Sequence, residues 1–347
     1  MSSRIVGIDI GSTSVRAVEL KNPQKNPVIS RFAEVPLPTG SVRRGEVLDV
    51  TAVAAALKLL WANGKFKTKD VVLGMGGPRV LSRDLAMPKA PLAQIREALP
   101  FHVQDMLPVP VAEALLDFYP ISEGVTDGAP IVNGLLIAAI KEAVSSNVAA
   151  VTRAGLKPVQ VDLIPFALVR ALSASGGARG LTAVVSIGAD TTNVVLVNDG
   201  VPQFVRIISA GGDDITRALT TRLQISPNQA ENAKRELGFS STTIKPEHRP
   251  IAEIIFEVGG EQANAIRNTL TYYTNSKTAA VVERIVLSGG GGQLSGFSRA
   301  LSELTGIPVI VAEPGGGAQY PRERKAGSSR EKKDAMTTAF ALAVGSA

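Results

Sequence analysis

Cysteine is absent from the 347 residues, so neither a disulfide framework nor a thiolate site can be built. Histidine occurs only at His102 and His248, which excludes a His-rich metal site. Aromatic residues make up 4% of the chain and do not interleave with basic ones, so a stacking platform for nucleic acid is missing. No stretch approaches the roughly 18 consecutive apolar residues of a membrane-spanning helix. Met1-Ser2-Ser3-Arg4 leads straight into a β run rather than into a secretory apolar segment. The expectation from these absences is a soluble protein of a reducing cytoplasm.

What is present suffices for a sizeable core. Hydrophobic residues are 45% of the chain and mean hydropathy is +0.16, which suggests two domains at about 100–200 residues each. The formal charge is +6, from 37 basic and 31 acidic residues. Much of the excess lies in Arg322-Glu323-Arg324-Lys325 and Arg330-Glu331-Lys332-Lys333. Residues 315–334 read as a mobile, solvated basic loop, with attraction to an anionic membrane surface as the sharper alternative.

Two Gly-bracketed turns, about 180 positions apart, hold most of the chemical information. The first is Gly7-Ile8-Asp9-Ile10-Gly11-Ser12-Thr13-Ser14-Val15, and the second is Ser186-Ile187-Gly188-Ala189-Asp190-Thr191-Thr192-Asn193-Val194. Each leaves one apolar β run, turns through Gly and hydroxyl residues, and enters another. Such a turn presents uncrowded backbone N–H groups and hydroxyls, which suit an oligophosphate. Two copies at domain spacing suggest similar halves around one nucleotide.

The rest of the pattern repeats in the same way. Strands are expected at 4–20, 28–35 and 71–75, with a helix from Thr51 to Trp61 whose Val53, Leu57, Leu60 and Trp61 share a face. Between about 80 and 155 the texture changes: Pro88, Pro91, Pro100, Pro108, Pro110 and Pro120 punctuate it, and Leu92 to Met106 reads as a helix broken at Pro100. This segment reads as an inserted subdomain of one or two helices on a small sheet. After residue 180 the strands restart, with Asp199-Gly200 as a hairpin turn and Gly211-Gly212-Asp213-Asp214 capping a helix. Ser288-Gly289-Gly290-Gly291-Gly292 follows a late strand, and Met336 to Val344 closes as an apolar helix.

These motifs, in this order, resemble the actin-like ATPase superfamily over essentially the whole chain. Gly7 to Ser14 is similar to its first phosphate loop, Ser186 to Asn193 to its second, and Leu287 to Gln293 to its adenosine loop. Asp162 to Ala171 and Thr337 to Gly345 are similar to the two connecting helices. The opening from Gly7 to Leu20, Ile164-Pro165-Phe166-Ala167, Gly211 to Thr216 and Ala339 to Gly345 resemble most closely the PilM family of type IV pilus assembly.

The resemblance implies an α/β, actin-like (ribonuclease H-like) duplicated two-lobe fold with an inserted FtsA/PilM-type subdomain. Residues 1–175 and 335–347 would form the first lobe, with the insertion at about 80–155. Residues 181–320 would form the second, with a helical subdomain at about 213–282. It further implies binding of ATP and Mg²⁺. Asp9 would hold the metal, mostly through water. Gly11, Ser12 and Thr13 would face the phosphates from one lobe, with Gly188, Asp190 and Thr191 from the other. Gly212, Gly289, Gly290 and Gly291 would admit the adenosine, and Glu231 with Lys234 would reach the ribose from one helix face.

The implied partner is the N-terminal cytoplasmic tail of a PilN-like membrane protein. The inner membrane would then be reached through that partner alone, with no nucleic acid involved. A homodimer or higher oligomer stays compatible with the sequence.

Two positions depart from the superfamily. Its second loop opens Asp-x-Gly, where this chain has Ser186, and its first connecting helix places Glu or Gln where this chain has Ile164. Both groups ordinarily serve the metal or the attacking water, so hydrolysis is expected to be weak or absent. The alternatives are an FtsA- or MreB-like filament former and a sugar-kinase relative. A kinase lacks its catalytic Asp here.

Overall fold

The computed structural model describes residues 4–23, 27–174, 176–177, 179–239, 245–277, 280–312 and 336–345. The basic loop expected at 315–334 lies outside the described residues.

The chain begins with a meander. β1 (Arg4–Ile10), β2 (Ser14–Lys21) and β3 (Val28–Pro36) pair antiparallel, with Ile10 opposite Val15 at the first turn. β1 and β2 are almost wholly buried, as a sheet covered on both faces requires. A two-rung hairpin follows, β4 (Val42–Arg43) and β5 (Glu46–Val47). α1 (Val50–Gly64) then starts at Asp49, whose carboxylate accepts from Thr51 and Ala52 N–H at 2.9 Å. Val53, Leu57 and Leu60 of α1 are buried, as their spacing predicts, and Trp61 is half-buried. β6 (Asp70–Met75) returns parallel to β1.

The insertion comprises β7 (Val80–Pro88), α2 (Leu92–His102), β8 (Ala114–Thr126) and β9 (Ala129–Ile140), in sheet order β7-β9-β8. The expected small sheet is present, but two details differ. α2 carries Pro100 inside its last turn and ends at His102, leaving Gln104–Met106 as a separate 3₁₀ turn. β8 is a 13-residue strand through Pro120, where the sequence pattern gave no strand. The register shifts between Pro120 and Ser122, so the proline, which cannot donate, sits at a bulge on an edge strand. α2 covers one face of this sheet through Ile95, Leu99, Val103, Phe118 and Leu136.

α3 (Lys141–Arg153) and β10 (Lys157–Leu163) complete the first sheet, ordered β10-β6-β1-β2-β3. α4 (Ile164–Ala174) crosses to the second half, where the order repeats. β11 (Leu181–Ile187), β12 (Thr192–Asn198) and β13 (Val201–Ile208) form the second meander. Asp199 and Gly200 both take positive φ at its hairpin turn, 47° and 84°. α5 (Gly212–Leu223), α6 (Pro227–Leu237) and α7 (Arg249–Ser276) form the helical subdomain. β14 (Arg284–Ser288), α8 (Phe297–Thr305), β15 (Val309–Val311) and α9 (Thr337–Gly345) follow, and the second sheet runs β13-β12-β11-β14-β15.

α4 and α9 lie between the two sheets and share one core with both. Val18, Leu20 and Val72 of the first sheet, Val184, Val195 and Val197 of the second, and Ala167, Leu168, Phe340 and Leu342 of the helices belong to it. The approach of α9 to β1 is so close that a Cβ on Gly7 would stand 2.0 Å from the Ala339 carbonyl oxygen. Gly74 of β6 likewise faces Ile164 and Leu342, at 2.7 and 2.8 Å from where its Cβ would be. Gly7→Ala should therefore destabilise the protein by about 2 kcal/mol or more. Gly260→Ala is the matched control: within α7 its added methyl meets nothing within 4 Å, and helix propensity should make it neutral or slightly stabilising. Thermal unfolding of the two variants beside the parent checks the contrast.

Candidate functional site

The two turns face one cleft and close by the same local bond. Gly11 N–H donates to the Ser14 carbonyl at 3.0 Å, and Gly188 N–H to the Thr191 carbonyl at 2.8 Å. Leu37 N–H donates to the Thr13 carbonyl at 2.9 Å, which fixes the first turn against the chain leaving β3. The N–H groups of Ser12 and Thr13 have no acceptor among the described residues, and both residues keep some exposure. Free amides in a narrow turn are the donor set that an oligophosphate takes up.

Asp9, the penultimate residue of β1, stands directly opposite Arg16 on β2. The Arg16 guanidinium reaches the Asp9 carboxylate at 3.3 Å and Glu34 at 2.9 Å. Burial pushes the Asp9 carboxyl above its usual range; the charge and hydrogen bond of Arg16 oppose this without cancelling it, and Glu34 adds to the rise. A cation beside Asp9 would supply the missing counter-charge. The single carboxylate matches Mg²⁺, which keeps several waters and takes its remaining ligands from phosphate. Among the described residues no group of three acidic or His side chains forms a self-sufficient metal cage.

In the second lobe the corresponding rung pairs Ser186 with Asn193, both buried and uncharged. Asn193 Oδ1 has no hydrogen-bond partner among the described residues and lies 3.1 Å from where a Gly76 Cβ would stand, on the first lobe's side. Ile164, at the head of α4, packs against the same Gly76. The floor between the phosphate turns is thus Ser186, Asn193 and Ile164, with no carboxylate among them.

Asp190 is committed elsewhere. Its carboxylate accepts the backbone N–H of Arg44, in the β4–β5 turn of the opposite lobe. That turn is itself fixed by Asn147 of α3, which accepts from Val47 N–H at 3.0 Å and donates to the Gly45 carbonyl at 3.1 Å. A Cβ on Gly77 would stand 2.1 Å from the Arg44 carbonyl, so the β6–β7 loop also presses on the turn. The second phosphate turn is thereby latched across the cleft by a side chain read from sequence as a phosphate ligand.

Gly188, Gly212 and Gly291 converge beside this turn. Gly212 N–H donates to the Gly188 carbonyl at 2.9 Å, Gly212 stands 3.2 Å from Gly291 by its would-be Cβ, and Gly289 turns at φ 83° against the Ile187 carbonyl. Gly290 has nothing within 4 Å, so the loop presents an open shelf there.

Glu231 and Lys234 share a face of α6, as expected, but they point into α5. The Lys234 ammonium donates to the Gly212 carbonyl at 3.0 Å and to Thr216 Oγ1 at 2.8 Å, and contacts Glu231 at 2.6 Å. All three protons are thereby engaged. Burial alone would raise the Glu231 carboxyl; hydrogen bonds from Lys234, Arg235 and Thr216, with the Lys234 charge, outweigh it and bring it down to about 2. The pair therefore fixes the first turn of α5 against the Gly289–Gly291 loop. Arg16, Arg44, Asn193 and Thr216 were not singled out from the sequence. Ladder position alone would have exposed two of them, since Arg16 and Asn193 stand opposite Asp9 and Ser186.

Known proteins agree with this geometry. The family model described as type IV pilus assembly protein PilM matches residues 7–347. The chain belongs to the PilM family. A solved PilM–PilN type IV pilus biogenesis complex superposes with a TM-score of 0.85 at 26% identity, covering 98% of this PilM-family chain and 97% of that one. MreB5 of Spiroplasma citri bound to AMPPNP shares the fold, with a TM-score of 0.54 at 11% identity over 97% of this chain and 94% of its own. The cell division protein FtsA of Streptococcus pneumoniae serotype 2 (strain D39 / NCTC 7466) is 22% identical over 348 residues, 89% of this chain and 75% of FtsA. The architecture is the actin-like two-lobe fold.

The α5–α6 network has a pH signature. A depressed Glu231 contributes stability above about pH 4.5 that is lost as pH falls towards 2. Glu231→Gln should lower the melting temperature at pH 7, and the gap from the parent should shrink as pH falls through that window. Melting curves across pH check it.

Proposed function

We propose that this PilM-family chain is a cytoplasmic, ATP-binding adaptor of the inner-membrane platform for type IV pilus assembly, and that it holds the N-terminal tail of a PilN-like membrane protein. The likeness to the PilM–PilN complex supports the partner, at an identity of 26% and a TM-score of 0.85 against 11% and 0.54 for the MreB5 structure at similar coverage. No helix among the described residues is long and apolar enough to cross a membrane, so attachment through a partner is consistent with the chain.

The single observation behind the nucleotide reading is the pair of identically closed turns with unengaged N–H groups at Ser12 and Thr13. In this reading those amides and Gly188 take the phosphates, Asp9 holds Mg²⁺ through water, and the shelf at Gly289 to Gly291 takes the adenosine. Bound Mg²⁺ would neutralise phosphate charge. Glu231 and Lys234 act by fixing Gly212, and Asp190 by latching the lobes. Ser186, Asn193 and Ile164 offer no base to an attacking water, so hydrolysis is slow or absent.

The tail is placed in the cleft between the first lobe and its insertion. β10 is the outer strand of the first sheet and exposes Val159 and Val161. Near its end stands Asp162, whose carboxylate bonds Arg170 beside Tyr119 of the insertion. Tyr119 in turn packs on Phe166 at 4.8 Å between ring centroids. An apolar strand edge leading to a charged corner suits an extended peptide.

Calorimetry with Mg-ATP should give tight binding to the parent, with affinity falling at least tenfold in Asp9→Ala, and one bound ATP should persist through many minutes. A PilN-like tail peptide should bind the parent, and Val161→Glu should weaken it about tenfold while leaving ATP binding unchanged. Brisk metal-dependent phosphate release, or tail binding indifferent to Val161, contradicts the reading.

A further inference from the structure

The first sheet has two ends. The cleft lies at the C-terminal end of β1, and the opposite end is built by the chain entering β6 and β10. Three elements meet there. Glu19 of β2, fully buried, accepts from Arg4 at 3.0 Å, from Arg31 at 3.1 Å and from the backbone N–H of Lys67. Lys157 N–H donates to the Lys69 carbonyl at 2.8 Å, tying the entries of β10 and β6 together. Arg153 ends α3 just before this point, because α1 and α3 both run antiparallel to the strands they precede.

The surface that results is strongly basic. Lys65, Lys67, Lys69, Arg153 and Lys157 are all exposed. The only ion pair that any of them makes among the described residues is the long contact of Lys157 with Asp70, at 3.7 Å. Glu19, the other carboxylate at this end, is buried and already taken by Arg4 and Arg31. Five cations are therefore held at one end of the sheet, with the Asp70 carboxylate beside Lys157 as the one ion-pair partner that any of them has among the described residues.

We propose that this basal edge docks directly on an anionic phospholipid surface. A cluster of four to eight Lys and Arg residues is the size that such surfaces attract, each adding an increment that ordinary salt screens. The cations are mostly lysines, point charges without the bidentate fork of Arg, which suits a fluid layer of headgroups better than a fixed phosphate geometry. Nucleic acid is disfavoured because the nearby rings are spent: Trp61 and Phe66 pack on each other at 4.8 Å, and the Trp61 indole donates to the Thr68 carbonyl at 3.1 Å. Docked by this edge, the protein turns its nucleotide cleft away from the bilayer. This attachment uses the entry of β10 at Lys157, whereas the PilN-like tail is proposed to lie further along the same strand, at Val159 and Val161.

Flotation of the full chain with vesicles tests it, without nucleotide or peptide. Vesicles containing about a third phosphatidylglycerol in phosphatidylcholine should carry the protein, pure phosphatidylcholine should not, and about 0.5 M salt should release it. Replacing Lys65, Lys67, Lys69 and Lys157 together by Gln should weaken binding roughly a hundredfold, whereas replacing the same four by Arg should preserve it. Arg322, Arg324, Lys325 and Lys332 replaced by Gln should leave binding within about twofold of the parent. The proposal fails if the basal Gln variant floats like the parent, if the second set of substitutions abolishes flotation, or if a short DNA duplex is bound more tightly than the vesicle.

Discussion

The packing of α4 and α9 between two near-identical sheets is the constraint on which the rest of the molecule depends. These helices share one apolar core with both lobes, so each phosphate turn is positioned relative to the other through them. That core tolerates no extra atoms at Gly7, where the α9 backbone occupies the space that any side chain would need. The same contact holds β1 in place, and Asp9 is the penultimate residue of β1. Packing between the sheets therefore sets where the Asp9 carboxylate, proposed above to hold a metal, stands.

Around this hinge the two halves repeat in backbone but diverge in charge. The turn closure by Gly11 and Gly188 is the same bond twice. Two residue pairs earlier, the first lobe places Asp9 against Arg16, and the second places Ser186 against Asn193. The first rung carries a carboxylate that can face a cation; the second can only donate or accept neutral hydrogen bonds. With Ile164 beside that second rung, the proposed nucleotide would be held with no base to cleave it. The Asp190–Arg44 latch strengthens this picture, because it closes the cleft with protein groups of its own.

What the sequence revealed was whatever is decided over a few residues. The Gly-hydroxyl turns, the Asp199-Gly200 hairpin and α1 follow from local backbone chemistry and apolar spacing. β8 stayed hidden because Pro120 and the polar residues after it erase alternation, and only the neighbouring β9 makes that stretch a strand. The role of Asp190 was equally hidden, since its partner Arg44 lies 146 residues away. The sequence points Lys234 at a ribose; its burial under α5 is decided by a helix–helix contact that no spacing within α6 announces. The fold was therefore nearly complete in the sequence, whereas the division of labour among site residues emerged only with the tertiary contacts.

The central claim is that Ser186 and Ile164 are what keep the proposed nucleotide clamp from cleaving ATP. Single-turnover phosphate release from the double variant Ser186→Asp with Ile164→Gln measures it directly, with Mg-ATP affinity followed in parallel. The account predicts a rise of about a hundredfold or more over the parent, at similar affinity, since a carboxylate and a water-orienting amide would regain their places. Release unchanged from the parent, with Mg-ATP bound and the fold intact, would contradict it.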